Sequence, residues 1–307
     1  MRFFPTSLQS AVRSRLACEI APDGIFAAGS AAMDSPLDAT AYVPLKGGLA
    51  AGLASPVFSD RAAVSAALRT ALDSVSANGR NWTLILPDAC TRVLLLDFDT
   101  LPAKPQEVLP LVRFRLRRMI PFDADTAAVS FQLIKSAGAA SKNGAVQVVA
   151  AAMPAEVRDE IESLMRDNDR DPGTLLPATL AALAAVPDSG SHLLVHTGLE
   201  SITTAITRNG ELLLYRRTEL GETDPWEMAQ SVLVAAAYYE DTLHTPLEEV
   251  WVAGLESPEV LRGHLALVGP WQIPLRSLIT SEAFSADSVP SQVAASRYTS
   301  VVGALRG

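Results

Sequence analysis

The sequence predicts an α/β protein of two lobes with an inserted α+β subdomain, and three observations carry that expectation. Over residues 192–221, apolar runs at 193–195, 202–206 and 212–215 are rich in Val, Ile, Thr and Leu. The Asn209-Gly210 pair between the last two is a two-residue hairpin turn, so the stretch reads as three antiparallel strands. Residues 82–153 read as a unit of their own: strand, strand, helix, then hairpin. Residues 187–191 carry the Pro and Gly of a boundary between lobes. The predicted division is therefore 1–81 for the start of the first lobe, 82–153 for the inserted subdomain, 154–190 for the rest of the first lobe, and 191–307 for the second lobe with a closing C-terminal helix.

Composition bounds the function classes. A chain of 307 residues with 49% hydrophobic and 19% charged residues describes a folded protein with a sizeable core. Its net charge of −9 argues against nucleic acid, because phosphate neutralisation needs a clustered basic surface. Two cysteines, Cys18 and Cys90, are too few for a disulfide framework or a cysteine zinc site, and no signal peptide is legible, so the expected compartment is the cytoplasm. No window of about 18 apolar residues and no lipidation motif is present, so membrane contact is expected only through a partner.

Taken in order, the chain opens with MRFFPTSLQSAVRSR, an irregular start. Residues 16–20 read as a strand and 25–28 as its return. In the Pro22-Asp23-Gly24 turn between them, Pro fixes φ and Gly is expected to supply a positive φ. Residues 30–59 read as a loop-bearing hairpin region with Tyr42 and Val43 in a strand. Asp60 is predicted to cap a helix over 61–75 whose positions 64, 68, 72 and 75 share one face; Asn78-Gly79 ends it. Pro105 and Glu107 start a helix that Ile120-Pro121 stops, with Leu109, Val112, Leu116 and Met119 as its buried stripe. Strands over 129–134 and 146–151 follow, joined by a segment containing Asn143-Gly144. A helix over 154–166 turns Val157, Ile161 and Leu164 inward, and an Ala/Leu-rich helix over 175–186 is expected to be buried on most sides. Asp224-Pro225-Trp226-Glu227 opens a helix through 243, residues 249–253 form a short strand running into Gly254, and Ser257-Pro258-Glu259 starts another capped helix.

Several of these stretches carry a family resemblance. LACEIAPDGIFAA resembles the opening strand, phosphate turn and second strand of the type IV pilus assembly PilM family, in the actin-like ATPase superfamily. LDFDTLPAKPQEVLPLVRFRLRRMIPFDADTAAVSFQLI is similar to that family's middle region, where a leu-pro strand leads into a helix ending in Pro-Phe. AVQVVAAAMPAEVRDEIESL matches the strand and helix after it, and RYTSVVGALRG resembles the terminal helix. The resemblance implies an actin-like (ribonuclease H-like) two-lobed fold and a scaffold function on the cytoplasmic side of a bacterial envelope machine. It implies as partner the N-terminal cytoplasmic tail of an inner-membrane PilN-like protein, with other pilus assembly components. That tail is expected to lie beside the inserted subdomain, with Phe114, Arg117 and Phe122 as candidate wall residues. A GspL-like component of type II secretion is the related alternative.

The nucleotide motifs depart from the family pattern. Where Asp-x-Gly is usual at the first turn, this chain has Glu19-Ile20-Ala21; Ala21 adds a Cβ where backbone approaches phosphate, and Pro22 removes an amide donor. At the second turn, His196 stands at the Asp position before Thr197 and Gly198, which removes a carboxylate and is expected to bring a positive charge. The strand that leads to a Gly-rich adenosine turn in the superfamily has Gly254 alone. The expectation is a pseudo-ATPase with no cofactor and no metal site. Binding of ATP and Mg by a working ATPase is the alternative from a different class.

Three further constellations have plainer readings. Arg113, Arg115, Arg117 and Arg118 suit an anionic surface or partner, and equally a solvated helix face. Asp97-Phe98-Asp99-Thr100-Leu101 resembles the paired aspartates of haloacid-dehalogenase phosphatases, a remote alternative whose register and later Lys and acidic pair are wanting. His192, His196, His244 and His264 have no metal-ligand spacing.

Overall fold

The structure is a computed structural model that describes residues 14–32, 35–50, 52–134, 146–220 and 224–306. The first half of the chain runs β1 (Leu16–Ala21), β2 (Gly24–Gly29), β3 (Ala39–Pro44), α1 (Arg61–Ser76), β4 (Asn81–Leu86), β5 (Arg92–Phe98), α2 (Pro105–Leu116), β6 (Ala128–Ile134), β7 (Val146–Met153), α3 (Ala155–Asp167), β8 (Asp171–Pro177) and α4 (Ala178–Leu183). The second half runs β9 (Ser191–Thr197), β10 (Ser201–Arg208), β11 (Glu211–Glu219), α5 (Pro225–Leu243), β12 (Glu249–Gly254), α6 (Pro258–Leu265), β13 (Leu275–Ser277) and α7 (Thr299–Arg306). Most of the opening segment and the Asn143-Gly144 turn lie outside the described residues.

Two five-stranded sheets share one topology. The first has the order β3-β2-β1-β4-β8 and the second β11-β10-β9-β12-β13. In each, an antiparallel hairpin is followed by strands parallel to the first one, joined through crossover helices. The carboxyl ends of β1 and β4 face those of β9 and β12 across a cleft, the place where open α/β sheets hold ligands.

Local chemistry sets the helix ends. Asp60 accepts from the Ala63 amide at 3.0 Å, Asp224 from Trp226 at 2.8 Å and Ser257 from Val260 at 3.3 Å, so all three predicted caps are made. The Asn209-Gly210 turn has φ of 49° and 76°, as a type I′ hairpin requires. The first hairpin works differently from its expectation. Gly24 does not adopt a positive φ; it is needed because a Cβ there would run into the Tyr42 ring of the neighbouring strand.

Three element assignments change. Residues 175–177, expected to start a helix, complete β8, which pairs in parallel with β4. The predicted inserted unit began at residue 82, but β4 sits inside the first-lobe sheet, so the subdomain's own sheet, β5-β7-β6, starts at Arg92. The C-terminal segment, assigned to the second lobe, returns to the first: Ile279, Phe284, Tyr298, Val301 and Leu305 pack with Ala17, Phe26 and Ile85. Gly303 allows this, since a Cβ would collide with the Ala181 carbonyl of α4.

The subdomain sheet is apolar on both faces. Leu96, Phe98, Val148 and Ala150 meet α2 through Val108, Val112 and Leu116. On the other face Ile134 and Val149 pack with α4 and with Leu194, Ala205 and Leu212 of the second lobe. Val108 and Ile120 are buried where Leu109 and Met119 were expected, because α2 ends at Leu116 and the chain then turns, leaving Met119 exposed.

Candidate functional site

A cavity of about 540 Å³ occupies the cleft between the lobes. It brings together Glu19, Ala21, His196, Thr197, Gly198 and Gly254, all singled out from the sequence. It also contains residues that sequence reasoning missed: Asp23, Asp88, Arg217 and Arg297. The signal for Asp88 was weak, a lone Asp after Leu86-Pro87 at the carboxyl end of a strand.

Asp88 is the hub of the floor. It is buried beyond the end of β4, and its Oδ1 accepts from the Thr179 amide at 3.1 Å and the Tyr215 hydroxyl at 3.0 Å. Its Oδ2 accepts from the Thr203 hydroxyl at 2.9 Å and from the Thr179 hydroxyl. The carboxylate therefore ties the first lobe and α4 to β10 and β11 of the second lobe.

Beside it, His196 Nδ1 lies 3.8 Å from Asp88 Oδ2 and Nε2 lies 3.4 Å from the Ser300 hydroxyl of α7. Burial lowers the His196 pKa, the Asp88 charge raises it and Arg297 lowers it further; the net shift is downward. The imidazole is thus neutral at neutral pH, and the positive charge expected from this substitution is absent. Glu19 moves the other way: burial pushes its carboxyl up to about 7, assisted by Asp88 and Asp23 and opposed by Arg297 and a Ser300 hydrogen bond. Arg297 pairs with Asp23 at 2.8 Å and its guanidinium stands 4.8 Å from the centre of the Phe26 ring.

The second turn is closed on itself. The Gly198 amide donates to the Ser201 carbonyl at 2.8 Å. The Thr197 hydroxyl donates to the Ala253 carbonyl at 3.2 Å and accepts from the Glu256 amide at 2.9 Å. Gly254 has φ of 89° and lies so close to β9 that a Cβ would strike the Thr197 carbonyl, so its role is local strand packing. The cleft loop is pinned from outside by Glu160, whose carboxylate accepts from the Ser55 hydroxyl at 2.9 Å and the Val57 and Phe58 amides at 3.0 and 3.2 Å. Its lining residues Leu53, Ala54 and Pro56 make one apolar wall and Leu199 and Leu255 belong to the other.

The candidate partner-binding residues sit on the subdomain. Phe114 is 62% exposed on the outer face of α2, with Leu111 one turn before it also exposed. Arg117 is paired with both carboxylate oxygens of Asp125 at 2.9 and 2.8 Å, and Phe122 packs half-buried against the subdomain core. The arginine cluster is largely committed within the chain. Arg113 donates to the carbonyls of Ala124, Asp125 and Ala127, and Arg115 lies 5.5 Å from the Phe98 ring centre. On β6, which is terminal in the subdomain sheet among the described residues, Leu133 is 46% exposed, a residue the sequence pattern did not single out.

By sequence, no family model and no curated protein matches this chain. Solved structures do. A PilM–PilN type IV pilus biogenesis complex matches with a TM-score of 0.75 at 18% identity, over 96% of this chain and 98% of that one. The cytoplasmic domain of EpsL, an inner-membrane component of the type II secretion system of Vibrio cholerae, matches with a TM-score of 0.53 at 12% identity, over 95% and 94%. A Bacteroides thetaiotaomicron protein with an actin-like ATPase fold matches at 0.50 and 12%, over 89% and 92%. The chain has the actin-like fold. The resemblance to PilM read from short motifs therefore extends to the architecture of both lobes and the inserted subdomain.

Proposed function

We propose that this chain is an actin-like scaffold of a type IV pilus or related secretion machine, that it binds the cytoplasmic tail of a PilN-like inner-membrane protein, and that it turns over little or no ATP. The whole-length likeness to the PilM–PilN complex carries the first two parts. Among the described residues no helix is long and apolar enough to cross a membrane, which fits attachment through a partner. An extended tail adding to an edge of the subdomain sheet, with apolar side chains near α2, would use main-chain pairing for affinity and side-chain contacts for selectivity.

The cleft's chemistry supports the third part. Phosphoryl transfer depends on backbone donors and metal-held charge placed around the phosphates. Here Pro22 has no amide to offer, the Gly198 amide is spent on Ser201, and His196 is neutral and not a carboxylate. Glu19 is half protonated near neutral pH and Asp88 is fully engaged with hydroxyl and amide donors. These residues do not fit a magnesium-bound triphosphate.

Calorimetry with the N-terminal tail peptide of the inner-membrane protein encoded by the neighbouring gene tests the partner, with Phe114→Ala and Arg117→Glu placed to weaken binding. Unchanged affinity in both folded variants would show that α2 is not the docking surface. Calorimetry with ATP and magnesium followed by phosphate release tests the cleft; micromolar binding with turnover that His196→Ala or Glu19→Ala abolishes would overturn the pseudo-ATPase reading. Purified protein that binds anionic vesicles without the partner would contradict indirect attachment.

A further inference from the structure

A second cavity, of about 530 Å³, lies where the start of β5 meets the end of β11, between the subdomain and the second lobe. It is separate from α2, which covers the opposite face of the subdomain sheet. Both strands are terminal in their sheets, so each has an edge without a strand partner among the described residues.

Arg92, Arg216 and Arg217 are among the residues that line it. Only Arg217 has a carboxylate partner there, Glu219 at 2.8 Å, and its Nε is buried with no hydrogen-bond partner. Arg92 is half-buried and makes no ion pair among the described residues. Burial and the neighbouring Arg217 charge lower its pKa, and Glu219 only partly offsets them. The remaining carboxylate at the cavity, Asp88, already accepts from Thr179, Thr203 and Tyr215. In a protein of net charge −9 this cavity thus gathers three arginine residues against two carboxylates that are already engaged.

We infer that this groove binds an extended acidic peptide segment, its carboxylates held by Arg92, Arg216 and Arg217 and its backbone lying along the edge of β11. A carboxylate satisfies the guanidinium forks directly. The strand edge supplies backbone donors and acceptors, and Val93 and Leu94 supply apolar contact between the charges. Elsewhere the acidic surface repels such a segment, which makes the groove selective. This partner segment is distinct from the tail proposed for α2, and neither inference depends on the other.

The test is fluorescence anisotropy with a labelled peptide of alternating Glu and Val, against the same peptide with Gln in place of Glu. The Glu peptide should bind, weaken as salt is raised, and lose about tenfold or more in affinity with Arg92→Gln and Arg216→Gln combined. Neither side chain makes a hydrogen bond or ion pair among the described residues, so the variant should melt with wild type, and hydrogen exchange should show protection of β11 amides on binding. Equal binding of the Glu and Gln peptides, or equal binding to the variant, would overturn the inference. So would arginine-dependent binding of inorganic phosphate with no peptide binding, which would make this a small-anion site.

Discussion

Replacing Asp88 with Ala tests how the two lobes are held together. The substitution strands the buried Thr179 amide and the Tyr215 hydroxyl, and leaves the hydroxyls of Thr179 and Thr203 to rotate in search of other acceptors. A buried donor without a partner costs about 1–3 kcal/mol, and breaking one side of a buried charged network costs about 3–5 kcal/mol. Taking the amide and the phenol as the donors least able to re-pair, the expected loss is about 3–5 kcal/mol. At about 2–4 °C per kcal/mol for a chain of this order of size, the melting temperature should fall by roughly 10 °C. Chemical denaturation followed by circular dichroism measures the loss, and Tyr215→Phe provides the single-contact comparison. Because both residues belong to one network, the double variant should lose less than the sum of the singles. An Asp88→Ala protein within about 1 kcal/mol of wild type, or strict additivity with Tyr215→Phe, would refute the reading that Asp88 holds the lobes together.

Two other outcomes follow from the cleft. Glu19 has a folded pKa of about 7 against an ordinary value of 4.5, so the folded state binds the proton more tightly than the unfolded one. Its contribution to stability is complete below pH 4.5 and is lost as pH rises to about 7. The loss amounts to about 3 kcal/mol, and Glu19→Gln should melt higher than wild type at pH 8 while flattening that part of the pH profile; an unchanged profile would show that Glu19 ionises normally. Gly254→Ala combines a positive φ with a collision against the Thr197 carbonyl, so a loss of more than about 1–3 kcal/mol is expected in denaturant titration. A neutral result would mean that β9 and β12 are not held so closely.

What was legible in the sequence was local. Helix starts at Asp60, Asp224 and Ser257 depend on side chains reaching amides two or three residues away, and the Asn209-Gly210 hairpin depends on adjacent backbone. The cleft residues Glu19, His196 and Gly198 were legible because they stand at or just after the ends of strands that lead into turns with a recognisable pattern. Nonlocal pairing was not. Leu175 and Leu176 look as helical as the Ala-rich run after them, and only parallel pairing with Leu84 and Ile85 makes them a strand. Asp88 takes its hydrogen bonds from residues 91, 115 and 127 positions away, so nothing near it in the chain announces its role.

That long-range network bears on how the proposed scaffold would work. A cleft ligand can change the angle between lobes only by the difference in its affinity for two arrangements, so a second arrangement must be energetically accessible. Here the closed arrangement already has the Asp88 network across the cleft. It also has the subdomain sheet packed on the second lobe through Ile134, Val149, Leu194 and Leu212. Opening would break hydrogen bonds to a buried charge and expose that apolar contact together, a cost of several kcal/mol by the magnitudes above. On the pseudo-ATPase proposal, magnesium-nucleotide has little to set against it. The relative placement of lobe and subdomain is then fixed by side chains of the chain itself, and the proposed partner tail would meet the same surface whether or not nucleotide is present. If so, tail affinity measured with and without ATP should agree within error, and Asp88→Asn, which keeps the shape but exchanges an acceptor for a donor, should weaken tail binding although it lies away from α2. Nucleotide-dependent tail affinity in the wild-type protein would show instead that the lobes move.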